Sequence, residues 1–475
     1  MARVLLVSSE AAPLAKTGGL ADVVGSLPSA LREFGDEAAV FIPRYGTIDL
    51  KGLRRVYDTL PIHLGAARYD CSIYEALADY PLYLLECPPL FERKGIYGES
   101  GLDYPDNHIR FAVFARAALE VARRLFSAEV FHCHDWQSGL VPAYLRTLYV
   151  SDPTFFGART LFTIHNLGYQ GLFPKTVLPE IALDPALFGA GEIEFFGSVS
   201  YIKAGIALAD ALSTVSPTYA REIRTPEYGF GLEGILQTRA GDLTGILNGV
   251  DTSEWNPAAD PLIAADYSPD DLAGKLVCKE RLLAELGLPP EAMARPLIGM
   301  VSRLTRQKGA DLLAQAGQWI PAEDVYLAVL GEGDPEYEDF FRGLAEALPG
   351  RVAVRIGYDA ALAHRILAGA DMFLMPSRYE PCGMTQMFGL KYGTVPVVRS
   401  TGGLDDTIEE GTGFKFLEYS GAALLEAVRD AVGMFSDSVR WRETMLRGMA
   451  KDFSWKESAK AYSALYKRLL TGVNP

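Results

Sequence analysis

Leu297-Ile-Gly-Met-Val301 is an apolar run that passes without a spacer into Ser302-Arg-Leu-Thr-Arg-Gln-Lys308-Gly309. Five apolar or small residues bounded by a polar, glycine-ended turn predict a buried strand. The turn carries three cations, Arg303, Arg306 and Lys308, within six residues. Doubly wound α/β sheets bind ligands just beyond the carboxyl ends of their strands, and fixed cations there suit a diphosphate leaving group. A solvated basic loop is the plainer alternative. It is less natural in a chain with 60 acidic against 45 basic residues and a net charge of −15.

Working outward, further apolar runs at 245–250, 325–330, 352–356, 372–375 and 395–398 alternate with helical stretches. The first half shows the same rhythm, with runs at 3–7, 38–42, 82–86, 130–134, 160–164 and 211–215. Strands alternating with crossover helices predict parallel sheets, so the chain reads as an α/β protein with two doubly wound, Rossmann-like units. The junction is expected between Gly241 and Asn248, which gives one domain over 1–243 and a second over 244–454. The stretch 252–273, rich in Pro, Asp and Ala, is expected to be a surface excursion. At the end, Trp455, Ala459, Tyr462, Tyr466 and Leu469 recur at steps of four and three, an amphipathic helix over 455–475 that must pack somewhere.

The 475 residues, 49% apolar and 22% charged, are ordinary globular composition for two or three domains at ~150 residues each. The amino terminus has only the short apolar run Val4 to Val7, too brief for a signal core or a membrane span, so a cytoplasmic, non-membrane protein is expected. Cys71, Cys87, Cys133, Cys278 and Cys382 lack the close spacing of a disulfide scaffold or zinc site and are read as reduced thiols. The negative charge argues against nucleic acid as a partner and is compatible with a neutral polymer or a small anion held by a few cations. Oligomeric state is not legible.

Five more segments carry chemistry. Lys16-Thr-Gly-Gly-Leu-Ala-Asp22 follows the first strand and opens a helix, where bare amides, the helix dipole and Lys16 favour a phosphate. Pro376-Ser-Arg-Tyr-Glu380-Pro-Cys-Gly-Met-Thr-Gln386 follows the strand at 372–375. There Glu380 could hold sugar hydroxyls while the amides of Met384 and Thr385 hold phosphate; an ordinary capping turn is the alternative. Thr401-Gly-Gly403 again puts two glycines at a helix start. Finally, His132-Cys-His134-Asp-Trp136 and Ile164-His165-Asn166 each end a strand. No carboxylate or thiol completes a metal set, whereas imidazole, amide and indole suit a pyranose.

Read together, these motifs resemble the bacterial glycogen synthases and plant starch synthases. The resemblance also covers Asp106-Asn-His-Ile-Arg-Phe111, His165-Asn-Leu-Gly-Tyr-Gln-Gly-Leu-Phe-Pro174, Lys203-Ala-Gly-Ile206, Thr214-Val-Ser-Pro-Thr-Tyr-Ala220 and Leu247-Asn-Gly-Val-Asp251, and spans residues 3 to about 470. It implies the GT-B fold, two Rossmann-like domains facing across a cleft with the C-terminal helix crossing back to the first. It further implies a retaining transfer of glucose from ADP-glucose to an α-1,4-glucan, with no metal or other cofactor. On this resemblance Arg303 and Lys308 neutralise the diphosphate, Glu380 holds the transferred glucose and His134 lies near the anomeric carbon. Tyr358 stacks on the adenine, and Lys16, Gly18, Gly19, Asp22, Asn248, Cys382, Gly383, Met384 and Thr385 complete the donor site. Asp106, Asn107, Trp136, His165 and Asn166 are candidates for the sugar or acceptor site. Two positions depart from the wider pattern: Phe388 stands where many retaining relatives carry a second glutamate, and Met384 where the family has leucine.

Three other readings compete. A dinucleotide oxidoreductase would need Gly-x-Gly-x-x-Gly after a strand, which is missing. A sister glycosyltransferase with another donor or acceptor fits the 165–174 match less well. A non-catalytic glucan-binding protein would not need Arg303, Lys308 and Glu380 together.

Overall fold

The computed structural model describes residues 1–76, 78–99, 101–316 and 319–472. The chain forms two units, one of residues 1–249 together with 455–475, the other of residues 250–454. The changeover at 249/250 lies just beyond the expected junction. The run at 245–250 does not open the second unit. Leu243–Gly245 is instead the last strand of the first sheet, and 246–250 is irregular. That run is apolar because Ile246 and Val250 are buried, not because it pairs.

In the first unit the large sheet contains β1 (Arg3–Val7), β2 (Glu37–Pro43), β3 (Leu53–Leu64), β4 (Ala67–Ala76), β5 (Leu82–Glu86), β6 (Val130–His134), β7 (Arg159–Ile164), β8 (Ala211–Thr214) and β9 (Leu243–Gly245). Their spatial order is β9-β8-β7-β6-β1-β2-β5-β4-β3. All neighbours are parallel except β3, β4 and β5, which form an antiparallel edge. The hairpin β3–β4 is not visible as an apolar run because β3 is largely solvated and reads as polar. β1 sits between β2 and β6, so the strand order reverses between β1 and β6.

The second unit has β10 (Leu297–Val301), β11 (Tyr326–Gly331), β12 (Val352–Ile356), β13 (Met372–Met375), β14 (Val395–Arg399) and β15 (Phe414–Phe416). They are all parallel, in the order β12-β11-β10-β13-β14-β15. That is the 3-2-1-4-5-6 order of a dinucleotide-type sheet, whose ligand crevice opens where the order reverses, here between β10 and β13. Met300, Leu327, Val329, Leu374 and Val397 fill the sheet's core, covered by Leu313, Phe341 and Val428 from helices.

The 252–273 excursion is tied down more firmly than its composition implies. Asp260 is buried and accepts hydrogen bonds from His364 at 2.7 Å and Tyr392 at 2.6 Å. Trp255 lies stacked between His364 and Phe388, with ring centroids 3.8 and 4.0 Å away. Phe388 therefore packs against an indole, an apolar role that suits the apolar residue found there. The C-terminal helix, Trp455–Thr471, belongs to the first unit and packs on the helix Gly19–Arg32 with Trp455, Ala459, Tyr462, Leu465 and Tyr466 buried. All five cysteines are buried free thiols. Among the described residues no helix is long and apolar enough to cross a membrane.

Candidate functional site

In the second unit the site grows out of the ends of two adjacent strands. β10 pairs with β13, and each runs directly into one of the loops singled out in the sequence. The loops are tied together by Arg378 N–H donating to Gln307 O at 2.8 Å. At Gly309, φ is +82° and a Cβ would collide with the Pro376 carbonyl, so glycine alone permits this approach. Lys308 Nζ is thereby brought to 2.6 Å from Glu380 Oε2, and Ser377 Oγ donates to the same oxygen at 3.0 Å. Glu380 is buried, so its charge is balanced by an ammonium and a hydroxyl and not by bulk water.

A third loop locks this arrangement from behind. After β14, Gly403 N–H donates to the Glu380 carbonyl at 3.1 Å, and Gly402 holds φ +46°. A Cβ on Gly402 would strike the Glu380 carbonyl oxygen, and one on Gly403 would strike that of Cys382. The two glycines read as a helix start are thus needed for close packing behind Glu380. Gly383 at φ +67° turns the chain into the helix Thr385–Lys391, whose first turn has no side-chain cap. Met384 and Thr385 are half-buried there, and Cys382 is buried. Gln386, which closes the motif but was given no role from sequence, donates through Nε2 to the carbonyls of Cys382 and Gly383, both at 3.1 Å. Its buried Oε1 has no hydrogen-bond partner among the described residues. A buried polar atom left this way marks a place where a ligand group fits.

Arg303 is solvent-exposed, and its guanidinium donates to Gln307 Oε1 at 3.2 Å. Tyr358 follows β12 and Gly357, and is 83% exposed. β12 lies two strands from β10, which puts Tyr358 at roughly two strand spacings, about 10 Å, from the cationic loop's origin. The unit therefore presents, on one sheet edge, an exposed aromatic face, a cationic loop, bare amides and a buried carboxylate.

The first unit repeats the plan at β1 and β6, again adjacent and again at the reversal of strand order. Lys16, Gly18 and Gly19 are exposed on the loop after β1, with Gly18 in extended backbone and Gly19 beginning the helix. Lys16 Nζ lies 2.6 Å from Asp22 Oδ1. The support for this loop is Glu10, buried behind it: Thr17 donates to it through N–H at 2.5 Å and Oγ1 at 2.7 Å, and Tyr97 through its hydroxyl. Glu10 follows Ser8-Ser9 at the strand end, and only that position could have flagged it.

At the end of β6, His134 is fully buried and its Nδ1 lies 2.9 Å from Nε2 of His165. Burial pushes His134 well below the usual histidine range and His165 down to about 3, so both rings are neutral. His134 Nε2 has no hydrogen-bond partner among the described residues, and neither does Oδ1 of buried Asn248. Asp135 holds φ +55°, a left-handed conformation unusual for a residue with a side chain. Its Oδ1 accepts from His165 N–H at 2.7 Å and Asn166 N–H at 3.4 Å, while burial raises its carboxyl to about 7.

The other sugar-site candidates are placed differently. Trp136 is buried in an aromatic cluster, 4.9 Å from Phe111 and 6.0 Å from Phe173, and presents no open face for a pyranose. Asn107 spends both ends of its amide on the protein, donating to Tyr97 O at 2.9 Å and accepting from Arg110 at 2.7 Å. Asp106 is paired in two-pronged fashion with Arg93, at 2.7 and 2.5 Å, and it is Arg93 that lines a surface hollow of about 560 Å³. Asn166 Oδ1 accepts from Gly168 N–H at 3.0 Å, closing its own turn. Among the described residues no three His, Cys, Asp or Glu side chains are grouped as a metal site would require.

Comparison with known proteins adds a family to this geometry. Residues 3–238 match the starch synthase catalytic domain, and residues 289–444 match the glycosyl transferases group 1. The chain is 48% identical to a glycogen synthase of Koribacter versatilis (strain Ellin345), covering 98% of both chains. It is 51% identical to a glycogen synthase of Anaeromyxobacter dehalogenans (strain 2CP-C), covering 98% of this chain and 99% of that one. The catalytic domain of starch synthase IV from Arabidopsis thaliana, bound to ADP and acarbose, superposes with a TM-score of 0.91 at 33% identity over 99% of each chain. A sucrose-phosphate synthase from Thermosynechococcus elongatus, at 19% identity and a TM-score of 0.61, shares the fold.

Proposed function

The chain belongs to the family of bacterial glycogen synthases and starch synthases, and from that premise we infer that it is a glucosyltransferase extending an α-1,4-glucan such as glycogen at its non-reducing 4-hydroxyl. The donor we propose is ADP-glucose and the new linkage α, as in the donor. The observation that carries the reading is the pairing of Lys308 with Glu380 at 2.6 Å where the strand order reverses. A cation for a diphosphate set beside a carboxylate for sugar hydroxyls matches the two ends of one sugar nucleotide.

When the bond from the anomeric carbon to the diphosphate breaks, negative charge builds on the leaving group. Lys308 and Arg303 act on that charge, and preorganised cations stabilise it more in the transition state than in the ground state. Glu380, held by Ser377 and by the Gly402–Gly403 turn, positions the glucose. His134, neutral and with Nε2 left for a ligand, offers the reacting sugar a hydrogen bond without a charge. The exposed face of Tyr358 favours the larger ring of a purine over a pyrimidine. The cations take the role a divalent metal plays in other transferases, so turnover is expected to survive excess chelator.

Transfer of radiolabelled glucose onto glycogen tests the reading, with ADP-glucose and UDP-glucose compared in the presence of chelator. A higher kcat/KM for ADP-glucose, undiminished by chelator, and an α anomeric signal in proton NMR of the product are expected. Equal specificity constants, a strict metal requirement or a β signal would each overturn the corresponding part.

A further inference from the structure

The C-terminal helix places two fully buried tyrosines against His132, a residue to which the reading above gives no task. Tyr466 Oη lies 2.8 Å from His132 Nδ1, and the Tyr462 ring centroid lies 5.2 Å from the imidazole. On its other side His132 Nε2 is 2.6 Å from Thr163 Oγ1, itself 2.6 Å from Ser213 Oγ. A row of hydrogen bonds thus crosses three neighbouring strands, β6, β7 and β8, with both nitrogens of His132 engaged. Burial keeps the Tyr466 hydroxyl protonated and His132 neutral. A phenol donates to an imidazole lone pair, so the consistent assignment has Tyr466 donating to Nδ1 and Nε2–H donating to Thr163.

His132 and His134 lie two residues apart on one strand and therefore on one face of it. Their ring centroids are 4.1 Å apart with planes 36° from parallel. Whatever fixes the plane of His132 limits the plane of His134. His134 is otherwise held by its single bond to His165, and its Nε2 is the atom left for a ligand.

We propose that Tyr466 is a positioning residue for glucosyl transfer: its hydroxyl fixes the tautomer and plane of His132, against which the tilted His134 ring lies, and so aims Nε2 of His134. The proposal rests on the reading of His134 as a group acting on the reacting sugar. It gives the terminal helix a part in the chemistry as well as in folding. Removing the hydroxyl leaves a fully buried imidazole nitrogen without a partner, and the ring retautomerises or tilts to find another.

The test compares Tyr466→Phe and Thr163→Val, which cut the row on either side of His132, with Leu465→Ala, a packing change on the same helix. Tyr466→Phe is expected to lower kcat about tenfold, the scale of a small misplacement at a reacting centre, with ADP affinity by calorimetry within twofold of the parent. Thr163→Val should do the same, and the double variant should cost little more than the worse single, because both act through one ring. Leu465→Ala should lower Tm at least as far while leaving kcat of the folded protein within twofold. In ¹⁵N-histidine spectra, tractable with only six histidines, the His134 ring signals should shift in Tyr466→Phe. Parent-like kcat in Tyr466→Phe, unmoved His134 signals, additive losses in the double variant, or an equal loss of kcat in Leu465→Ala would each overturn the proposal. Should Tyr466→Phe not fold, Thr163→Val alone decides by the same kcat and spectral criteria. A parent chain that transfers no glucose, or a His134→Ala variant with full kcat, would instead sink the functional reading itself.

Discussion

At the scale of single residues, the contact between Lys308 and Glu380 changes what substitution should do. Lys308→Ala removes the cation proposed to meet the diphosphate and leaves the buried carboxylate with the Ser377 hydroxyl in place of an ammonium, so kcat should fall by roughly 10²-fold or more and ADP affinity should drop. Glu380→Ala should also lose turnover, yet bind ADP at least as well as the parent, because the ammonium it releases is free to meet phosphate. Because the pair is in direct contact, the double variant should cost clearly less than the product of the two single losses. Calorimetry with ADP and kcat on folded protein decide this; weakened ADP binding by Glu380→Ala would refute the assignment. Asp135 offers a pH signature. Its folded-state carboxyl is raised to about 7, against about 3.9 in an unfolded chain, so between those values the folded state binds the extra proton. The stability this confers is complete below about pH 4 and is lost as pH rises towards 7. Asp135→Asn, which keeps an acceptor for His165 N–H and tolerates the left-handed backbone, should therefore gain Tm relative to the parent as pH rises from 5 to 8. A Tm difference independent of pH would contradict this.

At the scale of elements, the site in each unit is made by loops that follow adjacent strands, and glycine decides how closely those loops meet. Gly402 and Gly18 look alike in sequence, each at the start of a helix behind a strand. Gly402 has φ +46° and would drive a Cβ into Glu380, whereas Gly18 is extended with nothing nearby. Gly402→Ala should lower both Tm and kcat, the latter about tenfold or more as Glu380 is displaced. Gly18→Ala should leave Tm unchanged and show any effect in KM. Thermal melts and initial rates on the two variants check the contrast; equal Tm losses would mean that the interlock behind Glu380 is unimportant.

At the scale of the whole molecule, residues 455–475 belong to the unit that begins the chain. The helix buries Trp455, Tyr462, Leu465 and Tyr466, each worth ~1.5–3 kcal/mol of apolar burial, a sum comparable with the 5–15 kcal/mol that holds a domain together. A chain ending at Ser454 should therefore lose cooperative melting of its first unit and all glucosyl transfer. ADP binding, which the proposed function assigns to loops of the second unit, should remain. Full transfer by the truncated chain would show that the helix is dispensable.

Most strands of both sheets were legible because a buried parallel strand must be a continuous apolar run, and such runs at 3–7, 82–86, 297–301, 352–356 and 372–375 coincide with observed strands. The loops behind them were legible too, since cations, glycines and a lone carboxylate at a strand's end are local patterns. Illegible were the features made by residues far apart in the chain. Lys308 meets Glu380 across 72 positions, and Tyr466 meets His132 across 334. Likewise hidden were the burial of Glu10 behind Thr17, the engagement of Asn107 and Trp136 in the core, and the pinning of 252–273 through Asp260. A period of two or of 3.6 residues reports which face of an element is apolar, and so determines that the element forms. Which element lies opposite, and hence which polar group finds a partner and which is left for a ligand, is set by packing that only the tertiary structure decides.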